Sequence, residues 1–256
     1  MFKRGFLAAA VLATLGTGSV MAEEYEGWYV GLSGGLASVD LNIKDFDAVA
    51  VHDQAALLQN INDALGTALD SGTSFNSTLD DSDTSWGVQV GYRFNKYVAA
   101  ELGYVNFGKA IYKAQTVVDT GVVDPQSLDI RTRFTSTGPT ISIVGMYPVG
   151  HFDLHVRGGI FFSDTRIVER FNDAPDSTLL ADVDAVGAAE TPPVVIAHSA
   201  QNKGSDKDLF FGIGGTWNIN EDYSLRAEYQ HFLDVGADDQ TGERDIDLFT
   251  IGFLFR

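Results

Sequence analysis

Residues 86–104 read WGVQVGYRFNKYVAAELGY and change character at every second position. Aromatic residues and Val fill the even positions from Trp86 to Phe94, whereas Gly, Gln, Arg and Asn fill the odd positions. After Asn95-Lys96 the alternation resumes and continues to Tyr104. Because successive side chains of a β-strand point to opposite faces, this stretch predicts two antiparallel strands joined by a tight turn.

The same alternation recurs along the chain and predicts eight strands. A tilted strand needs about 9–11 residues to cross a bilayer, and most of the predicted strands have a similar length. The last strand carries Phe249, Ile251, Phe253 and Phe255 on one face. The predicted strands are residues 28–39, 86–95, 98–104, 135–147, 152–162, 209–219, 223–233 and 247–255.

The lengths of the connections distinguish the two ends of the predicted sheet. Short turns at 95–96, 148–150 and 220–222 alternate with long connections at 40–85, 108–131, 164–208 and 234–245. This arrangement is typical of outer-membrane barrels, in which the short turns are periplasmic. A soluble ligand-carrying barrel would alternate as well, but it has no reason to sort its loops by length. We therefore expect an all-β, eight-stranded antiparallel up-and-down transmembrane barrel with long extracellular loops.

The first 22 residues predict an export signal. Lys3 and Arg4 precede an uncharged run of apolar and small residues, and Val20-Met21-Ala22 supplies small residues before two glutamates. This order is that of a secretory signal peptide, and the run is short and glycine-rich for a spanning helix. We expect a cleaved signal peptide at residues 1–22, a barrel domain at residues 23–256, and a location in the bacterial outer membrane.

The composition excludes several classes of protein. Cysteine is absent, which rules out disulfide scaffolds, cysteine-based zinc sites, thiol nucleophiles and a lipoprotein anchor. Lys and Arg number 17 against 35 Asp and Glu, and the resulting net charge of −18 repels nucleic acid. Removal of residues 1–22 takes away two positive charges and no acid, which leaves −20.

Three hairpins and the last strand carry a resemblance to a known family. The hairpins lie at 87–107, 142–162 and 210–232, and they contain GYRF at 91–94, ELGY at 101–104 and LRAEY at 225–229. With the ending FTIGFLFR at 249–256, they resemble the OmpA/OmpX-type family of eight-stranded outer-membrane barrels. The resemblance covers the strands but not the long loops, and it implies a porin-like barrel of the Gram-negative cell envelope.

The chain departs from that family in two ways. It stops at the eighth strand, so the resemblance does not imply the peptidoglycan-binding domain of two-domain relatives or anchoring to the cell wall. Arg256 follows Phe255 at the end, whereas the family's assembly signal usually ends on an aromatic residue. We still expect assembly by the usual machinery.

The first long connection predicts a short amphipathic helix. Leu57, Ile61 and Leu65 have the spacing of one helical face and follow Asp53, a residue suited to capping. We favour packing of this helix on the barrel mouth over a partner-binding role. In the third long connection, residues 191–197 read TPPVVIA and predict an extended segment.

The sequence contains only weak candidates for catalytic or metal-binding residues. His198-Ser199 is similar to the His–Ser pair of outer-membrane lipid A deacylases, but adjacent strand residues point to opposite faces and both lie in a predicted loop. The predicted strands supply no His and hydroxyl on one lipid-facing patch. The five histidines lack metal-ligand spacing, and residues 80–83 lack the Gly and distal Glu of a calcium loop. We predict no catalytic residue, cofactor or metal site, and no enzyme.

Acidic residues concentrate in the long connections. The formal charge is −8 for residues 40–84, 0 for 108–131, −5 for 164–208 and −5 for 234–247. We expect the acidic loops to recruit divalent cations weakly and to bridge to lipopolysaccharide phosphates. Ordinary solubility, or adaptation to a saline habitat, remains open as an explanation. The expected partners are outer-membrane lipid and lipopolysaccharide, and the sequence identifies no surface partner.

Five charged residues are predicted to lie inside the barrel. If the aromatic faces meet lipid, then Arg93, Glu101, Arg157, Arg226 and Glu228 point inward, at similar distances from the short turns. The interior of an eight-stranded barrel is just wide enough for side chains to fill it, and an isolated charge there is costly. We therefore expect one connected charge network that closes the lumen.

These observations predict a non-catalytic role in envelope integrity and in surface interaction through the loops. Two alternatives remain open at this point. The protein could be a narrow channel for ions or small solutes, or an outer-membrane lipid-modifying enzyme.

Overall fold

The computed structural model describes residues 26–44, 46–47, 51, 74–118, 126–171, 198–238 and 240–256. The predicted signal peptide, the predicted helix near Leu57 and the segment 191–197 lie outside the described residues. The strands are β1 Gly27–Val39, β2 Ser74–Asp80, β3 Ser82–Arg93, β4 Val98–Val118, β5 Gln126–Val149, β6 Phe152–Phe171, β7 His198–Asn218, β8 Tyr223–Val235 and β9 Arg244–Phe255.

The strands close into a single antiparallel barrel. β1 pairs with β3 and β9, and the remaining neighbours pair in sequence order until β4 meets β5. β2 and β3 share one position in the barrel, because β3 pairs with the first half of β4 and β2 with its second half. The predicted eight-stranded antiparallel barrel is therefore confirmed.

The orientation of the two strand faces is that of a membrane barrel. Leu102, Ile143, Val156 and Ile213 lie on the outside, and each is more than half exposed. The alternate positions on these strands face inward, and many of them are polar and buried. A soluble barrel would bury its apolar face instead, so the outer belt of apolar side chains identifies a surface that contacts lipid.

The three short turns define the periplasmic end. Two of them use the same device: the Asn95 side chain accepts hydrogen bonds from the backbone N–H groups of Tyr97 and Val98, and Asn220 does the same for Asp222 and Tyr223. Such side-chain turns stabilise a tight reversal of the chain. The third turn lies at residues 150–151, slightly later than predicted, where Gly150 adopts a φ of 64°.

Four strands extend far beyond their predicted ends, and β2 lies within the predicted loop 40–85. β4 and β5 extend through most of the predicted loop 108–131, and β6 and β7 extend into the predicted loop 164–208. Those loop boundaries are wrong because backbone pairing between these strands continues beyond the length that crosses a bilayer. The backbone of His198-Ser199 accordingly lies at the start of β7 and not in a loop. No helix among the residues described is long and apolar enough to cross a membrane.

Candidate functional site

Four charged side chains form a buried cluster inside the barrel. Arg226 on β8 donates from Nη1 to Glu101 on β4 at 2.7 Å, and Arg157 on β6 forms a second ion pair with Glu101. Arg157 Nε lies 2.9 Å from Oε1 of Glu228, which completes the chain of contacts. All four side chains are at least nine-tenths buried. We call Glu101, Arg157, Arg226 and Glu228 the charge cluster.

Neutral groups complete the surroundings of the charge cluster. The Tyr29 hydroxyl donates to Oε1 of Glu101 at 2.5 Å, and Arg226 Nε donates to the Thr216 hydroxyl at 3.2 Å. Nε2 of His155, also buried, lies 3.7 Å from Glu228. These contacts bring two more strands, β1 and β7, to the same point, so the charge cluster ties opposite sides of the barrel together.

Arg93, the fifth predicted residue, lies elsewhere. Its guanidinium pairs with Asp153 at 3.0 Å and donates to the carbonyl oxygens of Asn95 and Lys96 in the first short turn. Asn218 also donates to Asp153, at 3.1 Å. Arg93 is therefore part of a second polar group at the periplasmic end, so the five predicted residues do not form the one connected network that was expected. The five residues belong to two separate ionic groups, the charge cluster and the Arg93–Asp153 pair.

Sequence reasoning missed two important residues, although both carried a signal. Asp153 alternates with Phe152 and Leu154, which marks it as inward-facing, but its partner on a distant strand could not be read from that pattern. Tyr29 lies on the small-residue face of β1 and is 5% exposed. Alternation identifies the inward face, whereas the stagger of the strands around the barrel decides which inward residues meet.

An aromatic layer covers the charge cluster on its extracellular side. Phe107, Phe161, Phe210 and Phe232 are at most 3% exposed, and their ring centroids lie 4.7–5.4 Å apart. Phe107, Phe161 and Phe232 each lie four or more residues further from the short turns than the cluster residue on the same strand. Phe210 lies six residues further from the turn than Thr216, which contacts Arg226. Further out, Tyr112 and Ile130 form another buried cluster, on which Ile43 and Phe46 pack.

The space left beside the charge cluster is small. A polar cavity of ≈ 30 Å³ is lined by Ser33, Gln89, Thr140, Arg157 and Gln230, among others. That volume admits about one or two water molecules. Buried side chains, including those of Arg157 and Gln230, border this cavity.

Comparison of the sequence with protein families finds that the OmpA-like transmembrane domain matches residues 23–256, and this match agrees with the architecture. The chain belongs to the OmpA-like transmembrane domain family. The resemblance carried by the three hairpins and the last strand is therefore confirmed. As an OmpA-like barrel, the protein is an outer-membrane protein, and its exposed belt contacts lipid.

Solved structures similar to this OmpA-like chain include three outer-membrane proteins. Neisserial surface protein A has 9% identity and a TM-score of 0.43, and the match covers 91% of this chain and 97% of that one. OprG from Pseudomonas aeruginosa has 16% identity and a TM-score of 0.34, with coverage of 90% and 96%. Ail of Yersinia pestis, in complex with the heparin analogue sucrose octasulfate, has 11% identity and a TM-score of 0.39, with coverage of 90% and 99%. A comparison with curated proteins finds no match.

The outer face of this OmpA-like barrel carries a histidine, His231, between two carboxylates. His231 pairs in register with Asp247, and Asp247 pairs on its other side with Ser38. Nδ1 of His231 lies 2.7 Å from Asp247, and Nε2 lies 3.7 Å from Asp245, so carboxylates face both ring nitrogens. Ser38 is two strands away, about 9.6 Å, which is too far for proton transfer to the imidazole.

Proposed function

We propose that this barrel is a non-catalytic structural protein of the outer membrane whose lumen is closed. The observation that carries the proposal is the stacking of two buried layers, the charge cluster and the four-phenylalanine layer. An ion entering the lumen would have to displace paired charges that are at least nine-tenths buried, and then pass tightly packed rings. Removing one partner of a buried ion pair costs about 3–5 kcal/mol, so such opening is rare.

Surface interaction through the extracellular loops completes the proposed role. We also infer that residues 1–22 are removed on export. The family match starts at residue 23, which is the first residue after the proposed cleavage site. N-terminal sequencing of the protein purified from outer membranes tests this inference, and a mature chain that begins with Met1 would contradict it.

Conductance across planar bilayers tests the closed lumen. We expect the unaltered protein to show no steady current steps, because both layers obstruct the axis of the barrel. Glu101→Ala and Glu228→Ala test the charge layer, and Phe161→Ala tests the aromatic layer. Ile143→Ala, on the outer face, is the matched control. Regular current steps from the unaltered protein would overturn the proposal and favour a narrow channel.

We further propose that acidic groups at the mouth recruit divalent cations, which bridge to lipopolysaccharide phosphates. Desolvation, and then the carboxylates of Asp238 and Asp234, raise the pKa of Glu243. A cation that binds between such carboxylates reduces their mutual repulsion. No cluster of at least three metal-binding side chains occurs among the described residues, so the cations would be held diffusely. Calorimetric titration at low ionic strength that shows no heat with Ca²⁺ or Mg²⁺ would contradict this proposal.

A further inference from the structure

Basic side chains gather on one outward face of the barrel, beyond the apolar belt. The strand extensions of β4, β5, β6 and β7 carry eight of the fifteen Lys and Arg residues that follow residue 26. Their positions in the pairing registers put all eight on the outer face. We call this set the basic face: Lys109, Lys113, Arg131, Arg133, Arg166, Arg170, Lys203 and Lys207.

The strand registers bring these cations side by side. Lys113 pairs with Arg131, and Arg131 pairs with Arg170, so three positive residues occupy one row across three strands. Two outward positions closer to the membrane, Arg166 pairs directly with Lys203. Like charges placed opposite each other destabilise a sheet. Such rows are therefore costly unless an anion neutralises them.

The acids on the same face are too few to balance the basic residues. Asp80, Asp129 and Asp164 are the acidic residues at outward positions on this part of the sheet, as far as the structure describes it. The local excess is five positive charges in a chain whose net charge is −18. The acidic character of the whole protein thus conceals a strongly basic surface.

Several guanidinium groups on this face have unused hydrogen-bonding capacity. Within the described ranges, the Nε atoms of Arg131, Arg133 and Arg166 are buried and have no hydrogen-bond partner. Arg166 does donate from Nη2 to Gln201. A planar guanidinium forms paired hydrogen bonds with phosphate oxygens, which makes arginine well suited to phosphate.

We propose that the basic face binds the phosphate groups of lipopolysaccharide in the outer leaflet directly. The position of the face selects this occupant. Lys207 is the next outward residue after Leu209, which is 61% exposed in the apolar belt, so the two lie about 6.6 Å apart along β7. The amphiphile whose acyl chains cover Leu209 therefore places its headgroup beside Lys207.

The dimensions of the basic face fit a phosphorylated lipid and its first sugars. From Leu209 to Lys203 the strand rises about 20 Å, and the row from Lys109 through Arg166 to Lys203 crosses four strands, about 14 Å. A single phosphate would contact only part of this area. The inference rests on the outer-membrane location in the proposed function, but not on a closed lumen or on bridging cations.

Lipid titration followed by native mass spectrometry tests the proposal. The folded protein in detergent is titrated with rough-type lipopolysaccharide, with the same lipid after chemical dephosphorylation, and with heparin, all in EDTA so that cation bridges are absent. Arg131→Gln/Arg133→Gln removes two cations from the basic face. Lys96→Gln/Arg244→Gln removes two cations outside it and is the matched control. Heat-modifiable gel migration verifies that each variant is folded.

We expect the unaltered protein to bind phosphorylated lipopolysaccharide at least about tenfold more tightly than the dephosphorylated form. The Arg131→Gln/Arg133→Gln variant should lose a similar factor, and the control variant should not. Equal binding of the two lipid forms would overturn the proposal, as would equal losses in the two variants. Tighter binding of heparin than of the lipid would instead assign the face to a soluble sulfated polysaccharide. Absence of binding in EDTA would refute direct contact. Binding that returns without EDTA would then be explained by bridging cations.

Discussion

Substitution of Glu101 by Gln tests the importance of the charge cluster for stability. Glu101 accepts a hydrogen bond from the Tyr29 hydroxyl at 2.5 Å and forms ion pairs with Arg157 and Arg226. The substitution keeps the shape but removes the charge that compensates both arginines. Arg157 retains the carboxylate of Glu228 at 2.9 Å, whereas the hydrogen bonds that the structure describes for the Arg226 side chain would then all go to neutral groups, such as the Thr216 hydroxyl. We expect the free energy of unfolding to fall by about 3–5 kcal/mol, the usual cost of breaking a buried ion pair.

Urea unfolding in detergent micelles, followed by tryptophan fluorescence and by heat-modifiable migration, measures this loss. Glu221→Gln in an exposed periplasmic turn is the control, and we expect it to change stability by less than about 0.5 kcal/mol. A double variant, Glu101→Leu with Arg226→Leu, should lose less than the two single variants together, because it leaves fewer unpaired buried charges. If Glu101→Gln unfolds at the same urea concentration as Glu221→Gln, the charge cluster contributes nothing to stability and the reasoning fails.

Three further predictions concern other parts of the barrel. Gly35→Ala should lower the free energy of unfolding by about 1–3 kcal/mol, because its Cβ would meet the backbone of Phe249, whereas Gly158→Ala has nothing within 4 Å and should be near neutral; equal urea midpoints would contradict this. Phe232→Ala should lower the free energy of unfolding by about 3–5 kcal/mol, because the ring is fully buried. Lipid-facing Phe253→Ala is the comparison in the same urea assay, and a smaller loss for Phe232→Ala than for Phe253→Ala would refute the aromatic layer. Asp153→Asn should cost less than Glu101→Gln, about 1–3 kcal/mol, because Arg93 keeps two carbonyl acceptors; paired unfolding curves decide the order.

The sequence predicts the fold because two independent regularities agree. Alternation assigns each residue to a face, and the lengths of the connections assign each end of the sheet to a side of the membrane. The inward orientation of Glu101, Arg157, Arg226 and Glu228 follows from the first regularity alone. Whether these residues close the lumen is a proposal that conductance has to test.

The contacts inside the lumen could not be predicted in the same way. Arg93 on β3 meets Asp153 on β6, two strands that are not neighbours, and this depends on the stagger with which the barrel closes. The extension of β4 to Val118 also escaped prediction. The positions between Ala110, Tyr112 and Ala114 hold both polar and apolar residues, so the alternation of residue types is weak there. Pairing with β5 decides that this segment is a strand.

The net charge of −18 conceals three zones whose charges do not compensate one another. In the lumen, Glu101 and Glu228 balance Arg157 and Arg226, and the pair Arg93–Asp153 is neutral by itself. The basic face has an excess of five positive charges, and most acids belong to the long connections. At physiological salt, charges interact weakly beyond about 8 Å, and the basic face extends over about 20 Å. Its cations therefore experience chiefly one another and whatever lies against the outer wall of the strands. A pair such as Arg166 and Lys203 is stabilised when that material is anionic, and the headgroup of the lipid that covers Leu209 lies close enough to supply the anion.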